Sequence, residues 1–497
     1  MKNPFASKSF LKKTVVIYPF LFAVFPILFL YAHNISETAA SQIWIPMAAS
    51  VIFTFLLGAI LSVIFRDVVK AGLASVIFLF LFFSYGRLYE LLEKWGVFVP
   101  SHWYLLPVLL LVWGYCTYLI KTSKRNFRNA TNVLNIVAIA LIAINLFNIA
   151  AYEIRMARLP SSDLHKQESS TATAIDSAKL ANLPDIYYII LDEYARSDTM
   201  LEYYNYDNSQ FIENLKQMGF FIAYSSEIPT PETYESFASS LNMSYEYITQ
   251  PKEIVYQKVA DNKVVNFLKS KGYKYIYFGN WYEIGRWKVI ADTYYNFYAD
   301  TSHGLVTTEF SDAFWQTTML RPFARQIMKS EYESNYRRGV LNVLQHLKQM
   351  PQMNGPKFVF CHLMCPHLPF MFGPNGEYID SVNWYNFNDK QFYLGQYIFV
   401  SKEIENTVRY ILKESSVEPI IILQSDHGLR LRWGQNSPDI GKNEWKKILN
   451  AYYLPGNGGE KLWGSISSVN SFRVIFNQYF NANYPLLDDY KNIYPDN

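Results

Sequence analysis

A chain of 497 residues exceeds one ordinary hydrophobic core, so two or more domains are expected. Its formal net charge of +3 argues against a general nucleic-acid binder. Half the residues are hydrophobic; charges are sparse and clustered up to about residue 152 and scattered as on a soluble surface beyond it.

Apolar stretches run from Val15 to Tyr31, Ile43 to Phe65, Ala71 to Tyr85, Trp103 to Ile120 and Val133 to Tyr152. Most reach the ~20 residues needed to cross ~30 Å of hydrocarbon, the third only by leaning on Gly86 to Leu92. About five membrane helices are expected. The first has too long an apolar core for a cleaved signal peptide, and no small-residue cleavage site follows it.

Basic residues decide the expected orientation. Lys2, Lys8, Lys12 and Lys13 precede the first span, Arg66 and Lys70 separate the second from the third, and Lys121, Lys124, Arg125 and Arg128 lie before the fifth. The alternate loops hold none, or Arg87 and Lys94 offset by Glu90 and Glu93. The positive-inside rule puts the amino terminus in the cytoplasm and, with an odd number of spans, everything after Tyr152 outside. Trp44, Trp95, Trp103 and Tyr104 fall at span ends, where amphipathic rings sit. No span carries an acidic residue of the kind that marks ion pathways, so an anchor is favoured over a transporter.

Residues 156 to 184 read as a linker, polar and weakly patterned from Arg158 onward and partly helical around Ala174 to Leu180. From Asp185 the chain alternates strand-like runs with helical patterns. Val264, Val265, Phe267 and Leu268 form a helical stripe stopped by Lys271-Gly272, and Tyr273 to Phe278 follows as a strand. Tyr336 to Met350 is amphipathic and leads into the strand Lys357 to Leu363; the helix Lys402 to Lys413 precedes a strand at Ile420. Such units imply a mostly parallel sheet sandwiched by helices, here an external α/β domain over residues 185–497 after a helical membrane domain over 1–155.

Three apolar runs end in groups that bind metal or phosphate: Ile186 to Leu191 before Asp192-Glu193, Phe358 to Cys361 before His362 with His367 five residues on, and Ile420 to Ser425 before Asp426-His427-Gly428. Parallel strands gather their carboxyl ends along one sheet edge, where open α/β sheets bind ligands. Carboxylates and imidazoles meeting there make a cation site, a usual mixed set for zinc or manganese. Each piece has a plainer reading. Asp192 caps the following helix; Gly428 makes a turn at positive φ with His427 exposed; His362 and His367 are unrelated. The three cysteines, Cys116, Cys361 and Cys365, are too few for a disulfide framework and fit no zinc-finger spacing; the last two read as buried thiols beside a strand end.

Pro229 to Ser236 leads into the small-residue helical run Phe237 to Leu241. Thr233 near the start of that helix would have backbone N–H donors beside it, suited to a phosphate oxygen, unless Thr230, Thr233 or Ser236 is simply the helix cap.

Together these pieces resemble the alkaline phosphatase superfamily, specifically the membrane-bound sulfatase-like branch with the lipoteichoic acid synthases and the lipid A phosphoethanolamine transferases. The resemblance covers about residues 185 to 480 and the layout of spans plus a large external domain. It implies an alkaline-phosphatase-like fold, Asp192, Asp426 and His427 as metal ligands, Thr233 as nucleophile with its hydroxyl on the same metal and Thr230 as fallback, and His362 and His367 as catalytic histidines. Glu193 departs from the pattern, standing where many relatives have a small residue, and is a further ligand or faces outward. The Cys/Ser-x-Pro-x-Arg motif of sulfatases is missing around Thr233, and threonine cannot become formylglycine, so sulfate-ester hydrolysis is disfavoured.

The implied enzyme uses one or two divalent ions, zinc or manganese, to lower the pKa of the Thr233 hydroxyl. It moves a phospholipid headgroup, of phosphoethanolamine or phosphoglycerol type, through phosphothreonine onto an envelope glycan or lipid. A phosphodiesterase or phosphatase of the same fold, or a catalytically inactive envelope-assembly protein, is the alternative. Aromatic residues including Trp281, Tyr282, Trp287, Tyr294, Tyr295, Phe297 and Tyr298 suggest an acceptor platform, though packing is the more common role.

Overall fold

The computed structural model of the chain describes residues 15–36, 38–95, 101–158, 183–279, 291–297, 309–379, 390–430 and 443–489, apart from the side chains of 158, 309 and 324–333. The linker positions 159–182, with their expected helix around Ala174 to Leu180, lie outside the described residues. Two compact units emerge: Met1–Leu159 with His303–Glu331, and Pro160–Ser302 with Tyr332–Asn497.

The first unit contains α1 (Tyr18–His33), α2 (Trp44–Phe65), α3 (Val68–Lys94), α4 (His102–Thr122) and α5 (Arg128–Arg158). Four stretches, Ala40–Phe65, Val68–Lys94, His102–Thr122 and Arg128–Ala157, are long and apolar enough to cross a membrane. At 16 residues α1 is shorter, about 24 Å at the usual helical rise. Phe55, Leu111 and Phe147 are exposed, as expected of helices whose apolar faces meet lipid rather than water. α2 ends where Arg66 turns left-handed, φ 52°, and α3 starts at once because the Asp67 carboxylate accepts the N–H groups of Val69 and Lys70. The expected extension of the third span through Leu92 is helical.

The second unit is built on β1 (Ile186–Leu191), α6 (Ser197–Tyr204), α7 (Ser209–Gln217), β2 (Phe221–Ile222), α8 (Thr233–Asn242), α9 (Lys252–Ala260), α10 (Lys263–Ser270), β3 (Lys274–Gly279) and β4 (Thr293–Asn296). Next in the chain come α11 (Glu309–Gln316), which belongs to the first unit, and α12 (Arg321–Leu347), which begins in it; β5 (Lys357–Leu363), α13 (Lys390–Glu414), β6 (Ile420–Ser425), β7 (Asn450–Tyr453) and α14 (Ser468–Tyr479) complete the second. The start of α10 is fixed by Asn262, whose Oδ1 accepts the Val265 N–H at 2.8 Å.

The sheet has seven strands in the order β2-β7-β6-β1-β5-β3-β4. β6, β1, β5, β3 and β4 run parallel, whereas β7 is antiparallel to both β6 and β2. Every residue of β1, β5 and β6 is buried, which is why these strands read as continuous apolar runs. Alternate residues serve opposite faces. Tyr187, Ile189 and Leu191 pack with Val359 and Cys361 under Tyr336, Val340, Tyr397 and Ile404 of α12 and α13. Ile186, Tyr188 and Ile190 pack with Phe358 and Phe360 under Phe237 and Leu241 of α8 and Phe472 of α14. The fold is therefore the expected one, a membrane-helical region followed by a mostly parallel sheet between helices.

Two helices begin well before their sequence signals. α12 starts at Arg321 rather than Tyr336, and α13 at Lys390 rather than Lys402. The first turns of α13 bury Tyr393, Gln396 and Tyr397, aromatic and polar residues that make no aliphatic stripe.

Candidate functional site

Strand register brings the chemistry together. Leu191 stands opposite Leu363 on one side and Ser425 on the other, so the residues that follow, Asp192 and Asp426, leave the sheet side by side. His362 lies across from Ile190, one position before the end of β5. Continuing the alternation through Ile186, Tyr188 and Ile190, through Phe358 and Phe360, and through Ile420 and Ile422 puts Asp192, His362 and Asp426 on the sheet face covered by α8. All three are buried, and each offers a ligand atom within 4.8 Å of the others.

Thr233 is the first residue of α8, behind an extended Glu232 that contributes no side-chain cap. Its hydroxyl donates to Asp426 Oδ2 at 2.7 Å, while Asp426 Oδ1 accepts the Glu193 N–H at 3.1 Å. The first turn of a helix directs N–H groups without intrahelical partners toward whatever sits ahead of it, a ready place for a phosphate oxygen. Thr230 is differently employed: its hydroxyl donates to Glu235 Oε2 and accepts the Glu232 N–H at 3.1 Å. Thr230 therefore braces the loop before α8, and of the two threonines Thr233 is the one beside the cluster.

His427 is buried rather than exposed, with Nε2 3.5 Å from Asp426 Oδ2 and 3.7 Å from Asp192 Oδ1. Its Nδ1 lies 2.8 Å from the Gly428 carbonyl, which can only accept, so Nδ1 carries a proton and Nε2 is the ring atom turned toward the two carboxylates. His362 Nε2 lies 3.3 Å from Asp192 Oδ2, and its ring meets Phe237 of α8 edge-on at 4.8 Å. Gly428 does not occupy the left-handed region. Its need for glycine is close approach: a Cβ there would stand 2.3 Å from the Lys447 carbonyl oxygen and 2.4 Å from that of Glu444. The left-handed residue at this edge is Glu193, φ 57°, where a non-glycine is uncommon.

Glu193 faces inward. Its Oε1 accepts the Arg430 N–H at 2.8 Å, and its Oε2 lies 3.7 Å from His367 Nε2. His367 sits at the rim, its side chain 21% exposed, with its own N–H donating to the Asp192 carbonyl at 3.1 Å. Its loop hangs on residues with no sequence signal. Gln396 donates from Nε2 to the carbonyls of His367 at 2.8 Å and Pro366 at 3.1 Å, and accepts the Met371 N–H on Oε1 at 2.8 Å. The Tyr336 hydroxyl donates to the Met364 and His367 carbonyls. Tyr393 anchors the other loop, donating to the Glu193 carbonyl at 2.8 Å.

Burial alone would raise the Asp192 carboxyl, but His367, His362 and His427 around it hold it well below the usual carboxylate range. The Asp192 and Glu193 carboxylates in turn raise the His367 imidazole against the effect of its burial. Among the described residues, buried Asp192 Oδ1 has no hydrogen-bond partner. A carboxylate oxygen left so is costly unless a cation meets it. The two carboxylates of Asp192 and Asp426, the His362 imidazole within 4.8 Å of them and the Thr233 hydroxyl on Asp426 suit a divalent ion with mixed oxygen and nitrogen preference.

Cys361 and Cys365 are free and buried, as expected. Of the aromatic residues between 281 and 298, Trp281, Tyr282, Trp287 and Tyr298 lie outside the described residues. Tyr295 and Phe297 pack against the core, and Tyr294 stacks on Tyr277 at 5.7 Å.

The model of the sulfatase family matches residues 184–465, a span that begins just before β1 and contains every residue of this cluster. The chain belongs to the sulfatase family. That makes it an enzyme of the superfamily to which the motif order pointed, carrying a buried Asp/His/Asp cluster suited to a divalent metal. Among solved structures, the zinc complex of the C-terminal periplasmic domain of EptC from Escherichia coli is 14% identical, with a TM-score of 0.40 over 61% of this chain and 84% of that one. The lipoteichoic acid synthase LtaP from Listeria monocytogenes is 14% identical, with a TM-score of 0.38 over 60% and 72%. The lipooligosaccharide phosphoethanolamine transferase EptA from Neisseria meningitidis, an integral membrane protein, is 12% identical, with a TM-score of 0.37 over 93% and 95%. No curated protein matches the chain in sequence.

Proposed function

We propose that this sulfatase-family enzyme is a phosphotransferase that takes the headgroup of a phospholipid onto Thr233 and passes it to a hydroxyl of an envelope glycan or lipid. The observation that carries the reading is the 2.7 Å hydrogen bond from the Thr233 hydroxyl to Asp426 in a buried cluster at the start of α8. Asp192, Asp426 and His427 would hold a divalent ion, zinc or manganese, beside that hydroxyl. When bound, the ion supplies Lewis acidity that lowers the hydroxyl pKa and offsets charge on the phosphoryl oxygens.

Asp426 Oδ2 receives the Thr233 proton as Oγ1 forms a bond to phosphorus. The bond from phosphorus to the lipid alcohol oxygen breaks as that oxygen takes up a proton beside His362 and His367, which stabilise it and, in the second half-reaction, stabilise the arriving oxygen as its hydroxyl gives a proton up. An acceptor hydroxyl then attacks phosphorus, the Thr233 ester breaks, and the threonine takes back a proton. Glu193 holds His367 by its carboxylate and is a further candidate ligand.

The domain plan follows: a membrane-helical region over 1–155, a linker over 156–184 and a catalytic region over 185–497. The amino terminus faces the cytoplasm and the catalytic region lies outside, in the periplasm or at the cell exterior. Anchoring next to the bilayer raises the effective concentration of a lipid donor.

Incubation with phospholipid carrying a labelled headgroup, followed by mass spectrometry of the Thr233 peptide, tests the reading. A headgroup-phosphate adduct on Thr233 that is lost on adding acceptor is the expected result. An adduct lost equally fast without acceptor makes the enzyme a hydrolase. Full turnover by Thr233→Ala removes the nucleophile assignment.

A further inference from the structure

Residues 303–331 leave the catalytic region of the chain and belong to the unit of membrane helices. Their described part is α11, a short connection and the start of α12. Phe310 and Phe314 of α11 are buried with Ile27, Leu28 and Tyr31 of α1, with Ile43 and with Tyr152 of α5. Met319 is buried with Tyr85 of α3 and Leu109 of α4. These contacts lie where α1, α3 and α5 end and α2 and α4 begin, the end of the bundle from which the chain leaves for the catalytic region.

The attachment to α3 is made by backbone. The Gly86 N–H donates to the Thr317 carbonyl at 2.9 Å, and the Met319 N–H donates to the Phe82 carbonyl at 3.0 Å. Gly86 and Phe82 are four residues apart, the two groups that would pair with each other in a regular α-helix. The approach needs a glycine: a Cβ on Gly86 would stand 2.1 Å from the Gln316 carbonyl oxygen and 2.7 Å from Thr317 Cα. Arg321 closes the contact, reaching the Gly86 carbonyl at 3.2 Å and Glu90 at 3.0 Å, with its guanidinium 4.9 Å from the Tyr89 ring centre. Next to this seat, Leu320 and Phe323 are exposed, as are Trp103 and Tyr104 in the first turn of α4. Exposed aromatic rings at span ends are what the lipid interface accommodates.

We propose that residues 309–323 are a membrane-seated anchor of the catalytic region, docked on α3 at Gly86, with Leu320 and Phe323 in contact with the phospholipid interface beside Trp103 and Tyr104. Met319, next to Leu320, packs directly on Tyr85 and Leu109 of two helices of the membrane bundle, which is why the occupant is lipid rather than another protein. The chain would then be held to the bilayer at a second place besides the linker after α5.

The test uses the full-length protein in membranes, with a protease site inserted after Ser170. After cleavage, the fragment carrying the catalytic region is expected to stay in the membrane pellet at about 0.5 M NaCl, where electrostatic adhesion is screened. Its release into the supernatant would overturn the docking. Gly86→Leu is expected to cause that release; retention in this variant would show that the seat at Gly86 holds nothing.

Since Gly86→Leu could fail to accumulate, a second measurement leaves Gly86 in place. A bimane probe on Phe323→Cys, in a Cys116→Ser background whose other cysteines are buried, is expected to be quenched by doxyl-labelled phospholipid and shielded from aqueous iodide. Strong iodide quenching with no effect of doxyl lipid would overturn the lipid contact. None of these readouts depends on catalytic activity.

Discussion

Thr233 Oγ1 lies 2.7 Å from Asp426 Oδ2, although 193 residues separate the two in the chain. The other oxygen of the same carboxylate holds the N–H of left-handed Glu193 at 3.1 Å. One buried group thus orients the hydroxyl proposed as nucleophile and fixes the turn that follows β1.

That double use makes Asp426→Asn informative. A neutral amide has one acceptor oxygen for two donors and offers no charge to a cation. Headgroup transfer is expected to fall about 10²- to 10⁴-fold, the range for losing a positioned proton acceptor. Metal content should fall with it. Kinetics together with elemental analysis of the purified variant check both; normal turnover would contradict the assigned role.

Chelation should silence the enzyme, and zinc or manganese should restore it. Because Asp192 and Asp426 are buried close together, the ion also relieves their repulsion, so it should raise thermal stability. An ion present at about 100 times its Kd would add ~2.7 kcal/mol. Thermal melts with and without added metal read this, and Asp192→Ala should flatten the response.

Gly428→Ala places a Cβ against the carbonyl oxygens of Lys447 and Glu444, at 2.3 Å and 2.4 Å. Both contacts are backbone, so relief requires moving the segment that carries His427. A loss of about 1–3 kcal/mol is expected, as for other overpacking changes. Weaker metal binding should accompany it, measured by competition with a chromogenic chelator.

Gln396 gives a sharper comparison. Gln396→Leu leaves the buried N–H groups of Met371 and Phe372 without their acceptor, at about 1–3 kcal/mol for each group. Gln396→Glu keeps an acceptor oxygen and loses the donors that hold the Pro366 and His367 carbonyls. If the residue acts by placing His367, Gln396→Glu should lower kcat more than it raises KM while the melting temperature stays closer to wild type than that of the leucine variant.

Much of the site was legible in the sequence because its signals are local. An apolar run buried on both faces needs no knowledge of its neighbours to be recognised, and Asp192, His362 and Asp426 each stand at the end of one. The supporting residues were hidden for the opposite reason. Gln396 and Tyr393 lie in the aromatic start of α13, and Tyr336 lies within α12; each has meaning only through the loop that packs on it. Glycine at 428 was visible, but the chain suggested a turn, whereas the cause is a neighbouring backbone remote in sequence.

The amino-acid order by itself determined the membrane helices, the strand-rich region after them and the residues at the strand ends, since hydropathy and two-residue alternation are properties of a segment. Only the tertiary structure decided which face those ends present, which threonine meets Asp426 and that residues 303–331 join the membrane helices. Those outcomes depend on strand register and on backbone approach between distant segments, and neither leaves a pattern in any single stretch of chain.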